Sequence, residues 1–506
     1  MDENRFEIDK ITWNDLSLDD IYSRLNVCVT SAGDDFLLNG LKRPYINDCD
    51  EFMSQRKLFS EIESLSNISD LSSILKKIGK LRTYKFSDVL LEYKDAESES
   101  NRSHYIIDLL VILSFALIFI YPGPGIVSFF VMIAVSVSNY FKKKNIISSK
   151  LTVSNYLIKI IKTLDKNSSK LNYSDCEEIS NKFSRIHDLC KELKPFVRGT
   201  FLISEGARTN SNPFSIVFDY IRMIFHVDII KYNSMVNFIK EHLVQVEQLY
   251  NIVGEIDCGL CIRSIGENEK INSNKLCKPI FTDNTDVYEI ENAVHPLVHD
   301  AVDNSIKTEK NILITGCNAS GKSTFLKTIA LNSIFAQGLG IAFADGYKAP
   351  FYRIYSSMAL KDDVDAKESY FMAEIKSLKR IVDACDDNTN KRVLCVIDEV
   401  LRGTNTVERI AASVEILKSL SKKGVLCLAA THDIELTELL SNEYNNYHFS
   451  EEVSNDDVMF SYKLKEGAAS SRNAIKLLSI LGYDDDVVRK ASKRADDFIN
   501  DGSWHS

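Results

Sequence analysis

The sequence predicts an α/β domain with a mostly parallel sheet, preceded by an all-helical region that an apolar hairpin interrupts. Three observations carry this. Up to about residue 262, apolar residues recur at three- and four-residue spacing; from about residue 278, β-branched runs bounded by turn residues alternate with helical patterns. Between them in character, two apolar runs meet at Pro122-Gly-Pro-Gly125. The 506 residues suffice for roughly two to four domains, each able to bury its own core.

Composition narrows the class. Apolar residues make up 45% and charged residues 26%, ordinary globular values. A net charge of −10 argues against a surface coated in nucleic acid throughout, so any such contact is local. The eleven cysteines are scattered and the polar start MDENRFEIDK carries no secretory signal, which predicts a reducing, cytosolic environment. Cys258-Gly-Leu-Cys261 is the one close pair. It reads as ordinary thiols ahead of a redox pair or half a zinc site, because Cys277 has no close partner.

Residues 1–103 read as short helices with polar breaks: LDDIYSRLNV, DDFLLNGL, EFMSQRKLFSEIESL and LSSILKKIGKL. Residues 104–144 hold the hairpin, a predicted transmembrane pair. Its runs, Tyr105 to Tyr121 and Ile126 to Phe141, lie at the short end of the roughly 17 to 25 residues that a bilayer core requires. Proline removes a backbone donor and glycine favours a turn, so the motif between the runs breaks the helix. Lys142, Lys143 and Lys144 follow directly and place that end, hence both ends, on the cytoplasmic side of the cell membrane. The alternative is a buried pair of core helices in a cytoplasmic protein. Pro213 to Ile230 is also apolar, but Asp219, Arg222, His226 and Asp228 make it a packed amphipathic helix. Residues 145–265 resume the helical pattern, with Phe238, Ile239, Leu243, Val246 and Leu249 tracing one stripe of a long segment. The polar stretch SIGENEKINSNK marks a linker, and the α/β domain occupies 278–506.

The chemistry concentrates there. Gly316-Cys317-Asn318-Ala319-Ser320-Gly321-Lys322-Ser323 follows the apolar strand Asn311 to Thr315 and opens the helical pattern Thr324 to Ala336. This is the strand, loop and helix context of a phosphate-binding loop: glycines turn backbone N–H groups inward, the helix N-terminus adds partial positive charge, Lys322 meets the β- and γ-phosphates and Ser323 binds Mg2+. A second apolar strand, Arg392 to Ile397, ends in Asp398-Glu399. Two carboxylates after a buried run need a cation or polar partner, which predicts Asp398 on magnesium and Glu399 orienting and deprotonating water; a solvated loop is the alternative. A third strand, Val425 to Ala430, ends in Thr431-His432-Asp433, where His432 is placed to contact a γ-phosphate. Ser369 precedes a helix with the stripe Phe371, Ile375, Leu378 and Val382, so it either caps that helix or presents its hydroxyl to a γ-phosphate.

In order and spacing, TGCNASGKSTFLKT, ESYFMAEI, VIDEVLRGTNT, ATHDIELTEL and KEGAASSRNAIKLLSILG resemble the ATPase domain of the MutS mismatch-repair family. Asn292-Ala-Val-His295-Pro296-Leu looks like the start of that domain, and Thr30 to Arg56 resembles, more weakly, the start of the family's core and lever region. The resemblance implies an ABC/MutS-type P-loop NTPase fold with C-terminal dimerisation helices. It implies that Gly316, Cys317, Asn318, Ala319, Ser320, Gly321, Lys322, Ser323 and Thr324 cradle ATP, that Ser323 and Asp398 bind Mg2+, that Glu399 is the hydrolytic carboxylate and that His432 is a switch. Ser369 would complete the site of a partner subunit, hence a homodimer. Asn304 resembles the residue near the adenine. Ala301 and Val302 stand where the family's stacking aromatic would be, and Leu401 replaces the glycine usual after the carboxylate pair. The core-like segment begins near residue 8, which leaves no room before it for a mismatch-reading domain.

The function so implied is a Mg2+-dependent ATPase coupling ATP state to DNA binding at a membrane, in mismatch-repair or recombination chemistry. Lys159, Lys162, Lys166 and Lys170 would meet DNA phosphates, or anionic lipid, or simply solvent. The alternative is a nucleotide-switched membrane scaffold that meets a protein partner and no DNA. A transporter-type ATPase is less well supported, because two short spans offer no substrate path.

Overall fold

The computed structural model describes residues 4–81, 86, 100–167, 173, 175–198, 213–267, 276–282, 286–317, 320–358, 370–386, 391–402, 404–453, 458–469, 475, 478 and 482–501. They form two compact units. One comprises residues 1–26, 37–56 and 264–506, the other residues 27–36 and 57–263. The first helices of the chain are thus grouped with the C-terminal domain, not with the helical region expected over 1–103.

The first unit is built on a six-stranded mixed sheet. From edge to edge its strands are Val458–Glu466, Tyr444–Val453, Asn311–Thr315, Val425–Ala430, Val393–Asp398 and Arg353–Ser357. All neighbours are parallel except the first pair, an antiparallel hairpin. The three central strands are apolar because both faces are covered, as parallel sheets require. Leu378, Ile381, Leu417, Leu420 and Leu440 bury one face. A four-stranded sheet of Ile280–Phe281, Gly346–Ala349, Tyr288–Ala293 and Asn304–Thr308 adjoins it in sequence.

The free edge of Arg353–Ser357 is covered by the short helix Lys10–Asp15. Thr12 Oγ1 accepts the Ser356 N–H at 3.1 Å, and the Asp15 carboxylate accepts the Ser356 hydroxyl at 2.7 Å and the Met358 N–H at 3.0 Å. An exposed strand edge is a template for mispairing, and this helix occupies it. Helix Lys322–Leu339 runs through the middle of the unit, two residues longer at its start than the sequence pattern and three at its end. Its buried Gln337 donates to the carbonyls of Tyr45 and Tyr352 and accepts the Tyr352 N–H, which satisfies backbone groups that no sheet reaches.

The second unit is helical. Asp257 is its polar hinge: its carboxylate accepts the Thr30 N–H at 2.7 Å, the Thr30 hydroxyl at 2.6 Å and the Val29 N–H at 3.1 Å. Cys258 and Cys261 are buried thiols inside helix Leu243–Glu267, not joined in a disulfide. The apolar runs form two antiparallel helices, Arg102–Ile120 and Pro122–Asn167, with Phe115 facing Phe129 at 5.4 Å between ring centroids. Two differences from the sequence reading stand out. The helical break falls on Tyr121 alone, and Pro122-Gly-Pro-Gly125 forms the first turn of the second helix, because proline at a helix start loses no bond the helix needs. That helix continues through Lys142, Lys143 and Lys144 to Asn167, so residue 144 is no boundary. The stripe Phe238 to Leu249 is likewise divided between helices Val227–Glu241 and Leu243–Glu267, which part at His242.

Candidate functional site

Register brings the site together. Ala430 pairs with Ile314 on one side and with Asp398 on the other, so the carboxyl ends of three parallel strands lie at one level. Loops leaving such ends face a common crevice. The Thr431 N–H bonds the Ile314 carbonyl at 2.9 Å and the Glu399 N–H bonds the Ala430 carbonyl at 2.9 Å, holding these ends in line.

The loop after Thr315 turns on two glycines at positive φ, Gly316 at 141° and Gly321 at 108°. A Cβ on Gly316 would lie 2.8 Å from the Phe449 carbonyl oxygen, so neither conformation nor space admits another residue. Gly321 caps helix Lys322–Leu339. The Lys322 ammonium donates to the Gly316 and Cys317 carbonyls, both at 2.8 Å, and burial holds its pKa below the usual lysine range against the opposing pull of Asp398 and Glu399. Ser320 is buried, and among the described residues its hydroxyl has no hydrogen-bond partner. Ser323 and Thr324 open onto the crevice.

Asp398 ends its strand buried at 7% exposure. Glu399 follows in the left-handed region at φ 63° and Leu401 at 57°, two non-glycine residues in a conformation that costs about 1–3 kcal/mol each. Leu401 holds the position because its side chain is part of the core. One Glu399 carboxylate oxygen lies 2.7 Å from His432 Nε2, and the other meets the Arg402 guanidinium. Burial pushes the Glu399 pKa up, but the His432 hydrogen bond and the Arg402 charge outweigh it, and the net shift is downward. Arg402 also lies 3.8 Å from Asp398. Next to His432 in the chain, Asp433 is gripped by Arg409 through both carboxylate oxygens at 2.9 and 2.6 Å.

Around these groups lies a crevice of about 450 Å³, within the range of small-molecule sites. Lys322, Ser323, Thr324, Asp398, Glu399 and Arg402 line it on the strand-end side, and His295, Val302, Asn304, Phe449 and Tyr462 line it opposite. Asn304 is a wall residue whose amide is already engaged: it donates to the Tyr462 carbonyl at 3.0 Å and accepts the Leu464 N–H at 2.7 Å. Asn318, Ala319 and Ser369 lie outside the described residues. Sequence reasoning missed Arg402, though it sits three and four residues beyond the carboxylates, and it missed Tyr462. That residue faces Gly321 from the far hairpin strand, with a Cβ on Gly321 only 3.3 Å from its ring, and no local pattern marks it. As to a metal, a hydroxyl and a carboxylate offer the hard oxygen donors Mg2+ takes. Among the described residues no cluster of three His, Cys, Asp or Glu side chains holds a metal unaided.

Comparison with known proteins matches residues 312–499 to the family described as MutS domain V. The chain is 31% identical over 268 residues to the DNA mismatch repair protein MutS of Bacillus velezensis, a match covering 50% of this chain and 30% of that protein. It is 33% identical over 230 residues to the same-named protein of Natronomonas pharaonis, covering 43% and 26% respectively. Against the Bacillus subtilis protein the figures are 30% over 266 residues, 50% and 30%. The match therefore spans under a third of these relatives' length.

Proposed function

From the premise that the C-terminal part of this chain is a MutS-family domain, we propose that it is an ATPase that couples ATP state to DNA binding at a membrane. The observation that carries the enzymatic half is the convergence of Lys322, Asp398 and Glu399 on one crevice beside the glycine loop, with His432 bound to Glu399 from behind. ATP lies with its phosphates against the backbone N–H groups of Gly316 to Thr324, and Lys322 exchanges its two loop carbonyls for phosphate oxygens. Ser323 and Asp398 would hold Mg2+, and the ion when bound would supply charge neutralisation for phosphoryl transfer. Glu399, kept ionised by His432 and Arg402, accepts the proton of the attacking water, and His432 reports the γ-phosphate to the strand-end loop. Asn304 and Tyr462 form the wall against the base. Ser369 of a second copy closes the site, so the working species is a homodimer with two composite sites.

Lys322→Ala should abolish ATP binding or turnover. Glu399→Gln should keep ATP bound and lower hydrolysis by about 100-fold or more, because removal of a general base typically costs two to four powers of ten. Hydrolysis at the wild-type rate in the Glu399→Gln protein would reject the assignment of the base.

For the membrane half, support comes from the two apolar helices, which are long and apolar enough to cross a bilayer and are only 17% and 11% buried. For DNA it comes from the family and from Lys159, Lys162 and Lys166, which lie exposed on the face of their helix opposite buried Leu157, Ile160, Ile161 and Leu164. Their closeness in sequence to the apolar helices favours a second reading, a nucleotide-switched scaffold whose lysines meet anionic lipid. Duplex and branched DNA binding measured across a salt titration separates the two. Affinity that falls steeply with salt, together with DNA stimulation of the ATPase, supports DNA; no affinity leaves the scaffold.

A further inference from the structure

The two apolar helices end in a turn whose chemistry fits no aqueous surface. Between Leu109 and Val135 there is no charged residue. At the tip, Phe119, Ile120 and Tyr121 are 78%, 68% and 63% exposed. A hairpin that crosses a bilayer delivers its turn to the far headgroups, where polar residues are at home. A turn that stays in hydrocarbon must instead hide its backbone donors. Here Pro122 and Pro124 carry no N–H, the Gly125 N–H bonds the Tyr121 carbonyl at 2.8 Å and the Tyr121 N–H bonds the Leu117 carbonyl at 2.8 Å, so that among the described residues of the turn Gly123 alone keeps an unbonded N–H. Gly125 lets the helices touch: a Cβ there would lie 2.6 Å from the Ile118 backbone.

The polar end fixes the depth. The Asp108 carboxylate lies 2.9 Å from His226 Nδ1, and one level with it Ser136 donates to the Ile224 carbonyl at 2.6 Å. One to two turns further from the tip, Tyr140 donates to Asp228 at 2.9 Å and Lys144 pairs with the same carboxylate. This layer ties helices Pro213–Ile224 and Val227–Glu241 to the hairpin, and beside it Val217, Tyr220 and Ile221 are exposed. At about 1.5 Å per residue, the helix rises about 20 Å from Asp108 to Tyr121, about two thirds of a hydrocarbon core of about 30 Å. Were the tip at the far headgroups, the Asp108 and His226 layer and its attached helices would be drawn into hydrocarbon.

We propose that the hairpin is a wedge that enters the bilayer from the cytoplasmic face and ends inside it, with helix Pro213–Ile224 lying in the near headgroup boundary and acyl chains as the partner of the tip. This rests on the membrane reading above. The test uses the full chain with its two tryptophans, Trp13 and Trp504, changed to phenylalanine. Tyr121→Trp, Phe119→Trp or Leu113→Trp is then introduced singly, and each protein is reconstituted in phosphatidylcholine and phosphatidylglycerol vesicles holding lipids brominated near the bilayer centre or near the headgroup. For a wedge, the tip positions lose more fluorescence to the deep bromines than position 113 does, and aqueous iodide quenches neither. For a span the order reverses, with position 113 deepest and the tip quenched by the shallow bromines; that order, or equal depth, overturns the wedge and leaves the membrane reading standing. Protein that fails to float with the vesicles overturns both.

Discussion

At the scale of single residues, the fold has moved the ionisation of Lys322, Glu399 and His295 in the crevice. His295 is half-buried in the crevice wall, and burial together with Lys327 pushes its pKa down to about 4. Its Nδ1 accepts the Leu297 N–H at 3.3 Å, which only the neutral ring can do. The unfolded chain binds a proton near the ordinary histidine value of 6.5 that the folded chain refuses. This contribution is therefore complete above about pH 6.5 and lost as the pH falls towards 4, at most about 3 kcal/mol. Thermal melts at pH 7 and pH 5 should show this loss, and His295→Gln should reduce the difference between the two. Glu399 carries the opposite kind of group, a carboxylate held below its usual range. Arg402→Ala removes one of the charges that oppose its burial, so the acid limb of the ATPase pH profile should move towards neutral pH. An unmoved limb would mean that Glu399 does not set it.

Elements meet here through glycine. A Cβ on Gly338, in helix Lys322–Leu339, would lie 2.1 Å from the Gly40 carbonyl oxygen of helix Ser31–Lys42, and Gln55 donates to the Gly338 carbonyl at 3.0 Å. Gly338→Ala should therefore cost about 3 kcal/mol by urea unfolding, despite alanine's better helix propensity, because backbone must move apart. An exposed substitution on the same unit stays within about 0.5 kcal/mol. Most elements were legible beforehand. Strands Asn311–Thr315 and Val425–Ala430 begin and end where their apolar runs do, since a run buried on both faces has sharp limits. The stripe through His242 was not legible as two helices, since periodicity continues across a one-residue break. Nor did the sequence show that Pro122 would start a helix; the same residue can end one or open one, and the packing of Gly125 on Ile118 decides which.

For the whole molecule, the composite-site reading makes a prediction no single subunit can. Chains carrying Ser369→Ala and chains carrying Lys322→Ala should each be poor ATPases, yet a mixture should regain activity. In the mixed dimer one site has an intact Lys322 and an intact Ser369 from its neighbour. Failure of the mixture to recover, with exchange of subunits verified by crosslinking, would place Ser369 outside the partner's site.

The sequence by itself determined the α/β class of the C-terminal domain, the glycine loop with Lys322 and Ser323, and the carboxylates Asp398 and Glu399, because each depends on neighbours within one strand and one turn. It also marked the apolar hairpin, since hydropathy is a local property. Only the tertiary structure decided that Arg402 and His432 share the two oxygens of Glu399, that Asn304 spends its amide on the hairpin strand, and that Tyr462 walls the crevice. Apart from the local reach of Arg402, those facts depend on which strands lie side by side. Strand order turns on Asn311–Thr315 lying between two strands that follow it by more than a hundred residues, and no short window of sequence contains that.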